Sequence, residues 1–176
     1  MRIGRVTISD RASAGIYADR SGPAIEEALR KIFDQSTVFE SALIPDERAQ
    51  IAATLRDLAD ARKCDLIVTT GGTGPGARDV TPEATRDVIE KELPGFGEIM
   101  RARSFERVRT AILSRATAGI RGRTLIVNLP GSPAAVAECL ELLAEAIREC
   151  LEHLAGRDPH ARRAAAMEHP TQNQNS

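Results

Sequence analysis

The sequence predicts an α/β protein: a three-layer α/β/α arrangement with a mostly parallel central sheet plus a β-hairpin. Three observations predict it. Strand-like runs at Arg2–Ile8, Thr37–Ile44 and Asp65–Thr70 alternate with segments of helical period, the signature of βαβ units. Leu66-Ile67-Val68 is apolar without alternation, as in a strand covered on both faces. Two further strands, Ile112–Ile120 and Thr124–Leu129, meet at Arg121-Gly122 and read as a hairpin.

Each element has a local reason. Ile3, Val6 and Ile8 mark the first strand, and Ser9-Asp10-Arg11-Ala12-Ser13-Ala14-Gly15 follows as a polar loop. Gly22-Pro23 opens a helix with Glu26 and Glu27 in its first turn and Ile25, Ala28, Leu29, Ile32 and Phe33 as its apolar stripe. Pro45-Asp46 ends the second strand and starts a helix with Ile51, Ala52, Leu55, Leu58 and Ala59 inward. After the loop Gly71–Asp79, Thr81-Pro82-Glu83 is a helix start with Thr81 as cap. Pro94-Gly95 interrupts, and Phe96–Val108 reads as another helix. Pro133–Leu154 is a long final helix with Val136, Leu140, Leu143, Ile147, Leu151 and Leu154 on one face. Residues 1–156 form one domain, and the polar residues 157–176 are expected to be a disordered tail.

Composition removes several functions. The 24 basic and 25 acidic residues leave a net charge of −1, so no global field draws the chain to nucleic acid or membrane. Trp is absent and aromatics are 3%, which leaves few stacking platforms for single-stranded nucleic acid. No apolar run reaches the ~20 residues of a membrane span, and Met1–Thr7 lacks a signal-peptide core, so the chain reads as cytoplasmic. The three histidines, His153, His160 and His169, all lie near the C-terminus, which argues against a Ser-His-Asp triad or a His-ligated zinc site in the body. Cys64, Cys139 and Cys150 have no paired spacing and read as reduced core thiols.

The chemistry concentrates in Thr69-Thr70-Gly71-Gly72-Thr73-Gly74-Pro75-Gly76-Ala77-Arg78-Asp79, at the C-terminal end of a buried strand. That is where open α/β sheets bind ligands, and clustered glycines let backbone N–H groups approach an anion. A tight strand-to-helix turn would show the same glycines. Gly71 and Gly76 have the spacing of a P-loop, but Ala77-Arg78 stands where Lys and Ser/Thr belong. Gly72, Gly74 and Ala77 match a loose dinucleotide-binding pattern, but the loop follows the third strand and lacks the later acidic residue. Asp10, Asp46 and Asp79 each follow an apparent strand end; Asp46 is alternatively a helix cap and Asp79 a turn residue. Together they put carboxylates beside a phosphate-shaped loop, which suits Mg²⁺. Ser114-Arg115 lies early in the Ile112–Ile120 run, with Arg115 alternatively a surface arginine; Asn128 ends a strand, and Pro130-Gly131-Ser132-Pro133 enters a helix N-terminus that favours an anion or is ordinary turn and cap chemistry.

Taken together, these blocks resemble a known family. Gly71-Gly72-Thr73-Gly74, Arg78-Asp79, Thr81-Pro82-Glu83-Ala84, Pro94-Gly95-Phe96-Gly97-Glu98, Leu113-Ser114-Arg115 and Leu129-Pro130-Gly131-Ser132-Pro133 are similar, in order, to the molybdenum-cofactor biosynthesis domain family. Ser9-Asp10-Arg11-Ala12-Ser13, Gly15-Ile16-Tyr17 and Leu43-Ile44-Pro45-Asp46-Glu47 resemble its adenylyl-transferring branch. The resemblance implies a homotrimer that joins ATP and molybdopterin, with pyrophosphate released and the product used by a separate molybdenum-inserting protein. It implies Asp46 and Asp79 as catalytic, Mg²⁺-holding acids and Gly71, Gly72, Thr73 and Gly74 as the ligand loop. Ser9, Asp10, Ser104, Ser114, Arg115, Asn128, Pro130 and Ser132 are the further substrate-binding candidates.

Such a reaction needs no histidine. A phosphate monoester has a second pKa near ~6 and is already a nucleophilic dianion at neutral pH. The enzyme must align two polyanions and neutralise the departing pyrophosphate. A non-catalytic pterin carrier and a dinucleotide-dependent oxidoreductase are the competing readings; a carrier would not need both acids.

Overall fold

The computed structural model describes residues 1–34 and 36–157; the expected tail lies, from residue 158 on, outside the described residues. The strands are β1 (Arg2–Ile8), β2 (Val38–Ile44), β3 (Leu66–Thr70), β4 (Lys91–Glu92), β5 (Ala118–Arg121) and β6 (Thr124–Leu129). The helices are α1 (Asp10–Ser13), α2 (Ser21–Ile32), α3 (Arg48–Arg56, continued by a π turn over Asp57–Ala61), α4 (Thr81–Arg86), α5 (Pro94–Phe105) and α6 (Pro133–Leu154).

One six-stranded sheet runs β2-β1-β3-β6-β5-β4. β2, β1, β3 and β6 are mutually parallel, while β5 pairs antiparallel with both β6 and β4. β3 is buried at all five residues and β6 at all six, as their unbroken apolar runs require. One face packs Ile3, Leu66, Val68, Leu125 and Val127 against Ile25 and Leu29 of α2, Met100 of α5 and Leu140, Leu143 and Ile147 of α6. The other packs Val6, Ile8, Ile67 and Ile126 against Ile51 and Leu55 of α3 and Ala84 of α4. This is the expected three-layer architecture. Cys64 and Cys139 are buried in these two layers, and burial pushes both thiols up to about 11.

The order of the strands creates the binding edge. From β1 the chain passes through α2 to β2 on one side, then through α3 to β3 on the other. The carboxyl ends of β1 and β3 therefore flank a topological switch point, where connections diverge and leave a crevice.

Four local expectations change. Ser9 does not only lead a loop: its hydroxyl accepts from Ala12 N and starts the four-residue helix α1. Thr81 is already inside α4, and its hydroxyl turns back to donate to Gly71 O at 2.9 Å. Pro94 begins α5 rather than interrupting before it, because proline suits the first helical turn. Ile112–Thr117 is not strand: Arg109–Leu113 forms a 3₁₀ turn, and Arg101 Nη1 donates to Ser114 O and Ala116 O, so strand pairing begins only at Ala118.

Candidate active site at the switch point of the sheet

Two positive-φ glycines shape the loop after β3. Gly71 has φ +97° and Gly72 φ +61°, conformations that a side chain would strain. A Cβ on Gly71 would lie 2.2 Å from Ile8 O, so the turn is pressed directly onto the end of β1. The loop is then fixed by α4, whose Thr81 N donates to Gly72 O at 3.0 Å. The neighbouring turn abuts it: Thr70 Oγ1 donates to Pro130 O at 2.6 Å, and Ser21 Oγ donates to Gly131 O at 2.7 Å.

A cavity of about 560 Å³ opens between these turns. Ser9, Asp46, Gly71, Gly72 and Asp79 line it, together with Thr7, Thr70 and Gly131. Its outer wall is Tyr17, Asp19, Arg20 and Ser21, which sequence reasoning did not assign to the site. The signal available was the Asp19…Ser21-Gly22 pattern ahead of a helix. Asp19 Oδ1 accepts from Ser21 N and Gly22 N, while its Oδ2 accepts from Thr7 Oγ1 at 2.8 Å. Tyr17 reaches Ser9 Oγ at 2.8 Å through its hydroxyl, and the Arg11 guanidinium lies over its ring.

Asp46 is not the cap of α3. Its Oδ2 accepts from Asp10 N at 2.8 Å, and Asp10 Oδ1 accepts from Asp46 N at 3.0 Å. Arg78 donates to both Asp10 oxygens and to Glu47 Oε1. Those bonds hold the Asp10 carboxyl below the usual carboxylate range, with the Asp46 backbone N–H, which also donates to it, assisting. Burial pushes the Asp46 carboxyl up against the pull of the Asp10 backbone N–H, and the Asp10 and Asp79 charges add to the rise. Asp79 does sit in a turn: its Oδ2 accepts from Gly76 N at 2.8 Å, and it still lines the cavity beside Asp46.

The remaining candidates fall elsewhere. Ser104, Ser114, Pro130 and Ser132 line a second, smaller cavity of about 230 Å³, across the Pro130–Pro133 turn from the first. Ser132 is also the cap of α6, accepting from Ala135 N. Thr73 and Gly74 do not line the larger cavity; their carbonyls accept from Arg115, from its backbone N–H and its Nε respectively, each at 2.8 Å. Arg115 is thus turned into the loop. Asn128 is fully buried behind the site, donating from Nδ2 to Thr69 Oγ1 and Thr85 Oγ1.

A mostly parallel α/β sheet with a glycine turn and the carboxylates of Asp19, Asp46 and Asp79 on one switch-point cavity defines a small-molecule-binding α/β domain. The chain belongs to the molybdopterin-binding family: residues 4–153 match the family described as a probable molybdopterin binding domain. It is 50% identical over 156 residues to a molybdopterin adenylyltransferase of Helicobacter pylori, covering 89% of each chain. It is 50% identical over 153 residues to the Escherichia coli protein of the same name, covering 87% of this chain and 78% of that one. Among solved structures, the molybdopterin biosynthesis enzyme MoaB of Thermus thermophilus superposes with a TM-score of 0.80 at 42% identity, over 89% of this chain and 97% of that one. No helix among the described residues is long and apolar enough to cross a membrane.

Proposed function

We propose that this chain is a molybdopterin adenylyltransferase. It transfers AMP from ATP to the terminal phosphate of molybdopterin and releases pyrophosphate, as a Mg²⁺-dependent cytoplasmic homotrimer. The adenylylated product then passes to a separate molybdenum-inserting protein. Relatives of that name at 50% identity support the reading. The observation that carries it is the convergence of Asp46 and Asp79 with Gly71-Gly72 on one cavity.

The donor set fits the metal. Asp46 and Asp79 offer hard oxygen atoms, and no group of three His, Cys, Asp or Glu among the described residues could hold an ion alone. Mg²⁺ that arrives with a nucleotide takes one or two carboxylates and completes its shell with phosphate oxygens and water. Asp46 and Asp79 would hold Mg²⁺, which would supply neutralisation of the charge developing on the pyrophosphate.

The chain's own groups do the rest. The Gly71-Gly72 turn has no Cβ to obstruct phosphates, and Thr81 keeps its carbonyls fixed. Ser104, Ser114 and Ser132 offer hydroxyls to the second substrate in the smaller cavity. Alignment of two bound polyanions accounts for most of the rate, because the attacking phosphate is ionised without a base. For the trimer, exposed Val108, Ile112 and Leu113 supply apolar surface, and light scattering tests it.

The test of the reaction is pyrophosphate release from ATP and Mg²⁺ on addition of molybdopterin, with the adenylylated product identified by mass spectrometry. Saturable pterin binding without pyrophosphate release would identify a carrier instead.

A further inference from the structure

The loop that carries Asp79 has little packing to hold it. Pro75, Gly76, Ala77 and Arg78 are exposed, and the segment contributes no side chain to either apolar layer. Its shape rests on polar contacts: Arg78 donates to Asp10 and Glu47 at the tip, Gly76 and Asp79 bond each other, and Arg115 holds the carbonyls on either side. The Arg115 backbone N–H donates to Thr73 O, its Nε donates to Gly74 O at 2.8 Å, and its Nη2 donates to Asp79 O. One side chain therefore grips the carbonyls at both ends of the Gly74–Asp79 segment. The third direction of the guanidinium goes to Glu83: Nη1 donates to Glu83 Oε1.

Glu83 is built into the same device. It stands on α4, which also anchors the start of the loop through Thr81 and Gly71. Its Oε2 is buried without a hydrogen-bond partner. The Arg115 and Glu83 side chains are 37% and 32% exposed, so the pair is held by contact geometry: Oε1 takes the guanidinium while Oε2 is covered. A guanidinium serves three directions at once from a rigid plane, which a lysine ammonium cannot reproduce.

We propose that Glu83 and Arg115 are a positioning pair, which holds the Asp79 carboxylate at the cavity by clamping both ends of its loop. The consequence for turnover rests on the adenylyl-transfer reading; the clamp itself does not.

The test uses the full chain with Arg115→Lys and Glu83→Gln, and Arg121→Lys as a control at the distant Asp60 pair. The first readout needs no substrate. Gly76 N–H donates to Asp79 Oδ2, so its solvent exchange, followed by NMR, reports whether that carboxylate stays in place. Exchange at Gly76 should quicken about tenfold in Arg115→Lys and Glu83→Gln, with melting temperatures close to the parent's. The second readout is kinetic: kcat should fall about a hundredfold in Arg115→Lys while KM for ATP holds. Millimolar guanidinium should restore part of the kcat lost in Arg115→Ala. Unchanged Gly76 exchange in both variants would overturn the proposal, and a fall in kcat without it would mean that Arg115 acts on substrate directly. A parent protein that transfers no AMP would overturn the adenylyl-transfer reading alone, because Gly76 exchange still decides the clamp.

Discussion

Asp10 and Asp46 lock each other through their backbones: each carboxylate accepts the other's N–H, at 2.8 and 3.0 Å. The lock ties the start of α1 to the end of β2 and aims Asp46 at the cavity, with α3 beginning independently at Arg48.

Asp46→Asn should therefore spare stability. The amide oxygen can still accept from Asp10 N, so the unfolding free energy should move by no more than ~0.5 kcal/mol, whereas loss of a true helix cap costs about 1 kcal/mol. Turnover should fall steeply because the charge is gone. Urea unfolding beside pyrophosphate release separates the two, and a loss of stability with normal turnover would restore the cap reading.

Gly72→Ala should damage both fold and site. Besides the strain at φ +61°, the new Cβ would lie 2.3 Å from Thr81 Oγ1 and 2.8 Å from Asp46 Oδ1. Gly122→Ala is the control, with φ +54° and nothing within 4 Å of the Cβ. We expect Gly122→Ala to cost about 1 kcal/mol from backbone conformation alone and Gly72→Ala to cost clearly more. Tyr17 is the only tyrosine and the chain has no tryptophan, so intrinsic fluorescence reads the cavity wall directly. Its response to pyrophosphate with Mg²⁺ should survive in Gly122→Ala and vanish in Gly72→Ala.

The Glu83–Arg115 pair should appear in the acid limb of stability. Burial pushes the Glu83 carboxyl up, but the Arg115 hydrogen bond, its own backbone N–H and the Arg115 and Arg86 charges together hold it below its ordinary 4.5. The unfolded chain then binds the proton more readily. The stabilisation is complete above pH 4.5 and is lost as pH falls through the lower folded value. Melting temperature against pH should drop less steeply below pH 4.5 in Glu83→Gln than in the parent. Parallel curves would remove Glu83 from the account.

Asn128 should prove structural. Its amide bridges Thr69 on β3 and Thr85 on α4 in a fully buried position. Asn128→Ala leaves both hydroxyls short of a partner and should cost about 1–3 kcal/mol in urea unfolding. Substrate affinity should change little. A stable variant with a large rise in KM would return Asn128 to the substrate pocket.

The sequence carries the four parallel strands and α2, α3 and α6 openly: β3 and β6 are unbroken apolar runs that are wholly buried, β1 and the helices show an apolar period, and β2 at the sheet edge buries only Ile44. It hides β4, whose Lys91 and Glu92 are exposed and become strand only by pairing with β5. It misleads at Ile112 and Leu113, where apolar residues suggest a strand but face outward from a 3₁₀ turn. The glycine loop and Asp79 are legible because they are contiguous. The wall from Tyr17 to Ser21 and the Glu83–Arg115 clamp are not, since each is made by contacts between distant segments. Asp46 is legible as a candidate from its place after a strand, but its orientation by Asp10, 36 positions away, is not.

The central claim is that Asp79 supports the chemical step of AMP transfer, and Asp79→Asn tests it most directly. The substitution keeps the shape and can still accept from Gly76 N, but it removes the charge proposed to hold Mg²⁺. Turnover with saturating ATP, Mg²⁺ and molybdopterin is measured beside Tyr17 fluorescence titrations of pyrophosphate without metal. The expected loss is about 3 kcal/mol in the transition state, roughly a hundredfold in rate, with metal-free binding preserved. Normal turnover in Asp79→Asn, or a defect confined to substrate affinity, would contradict it.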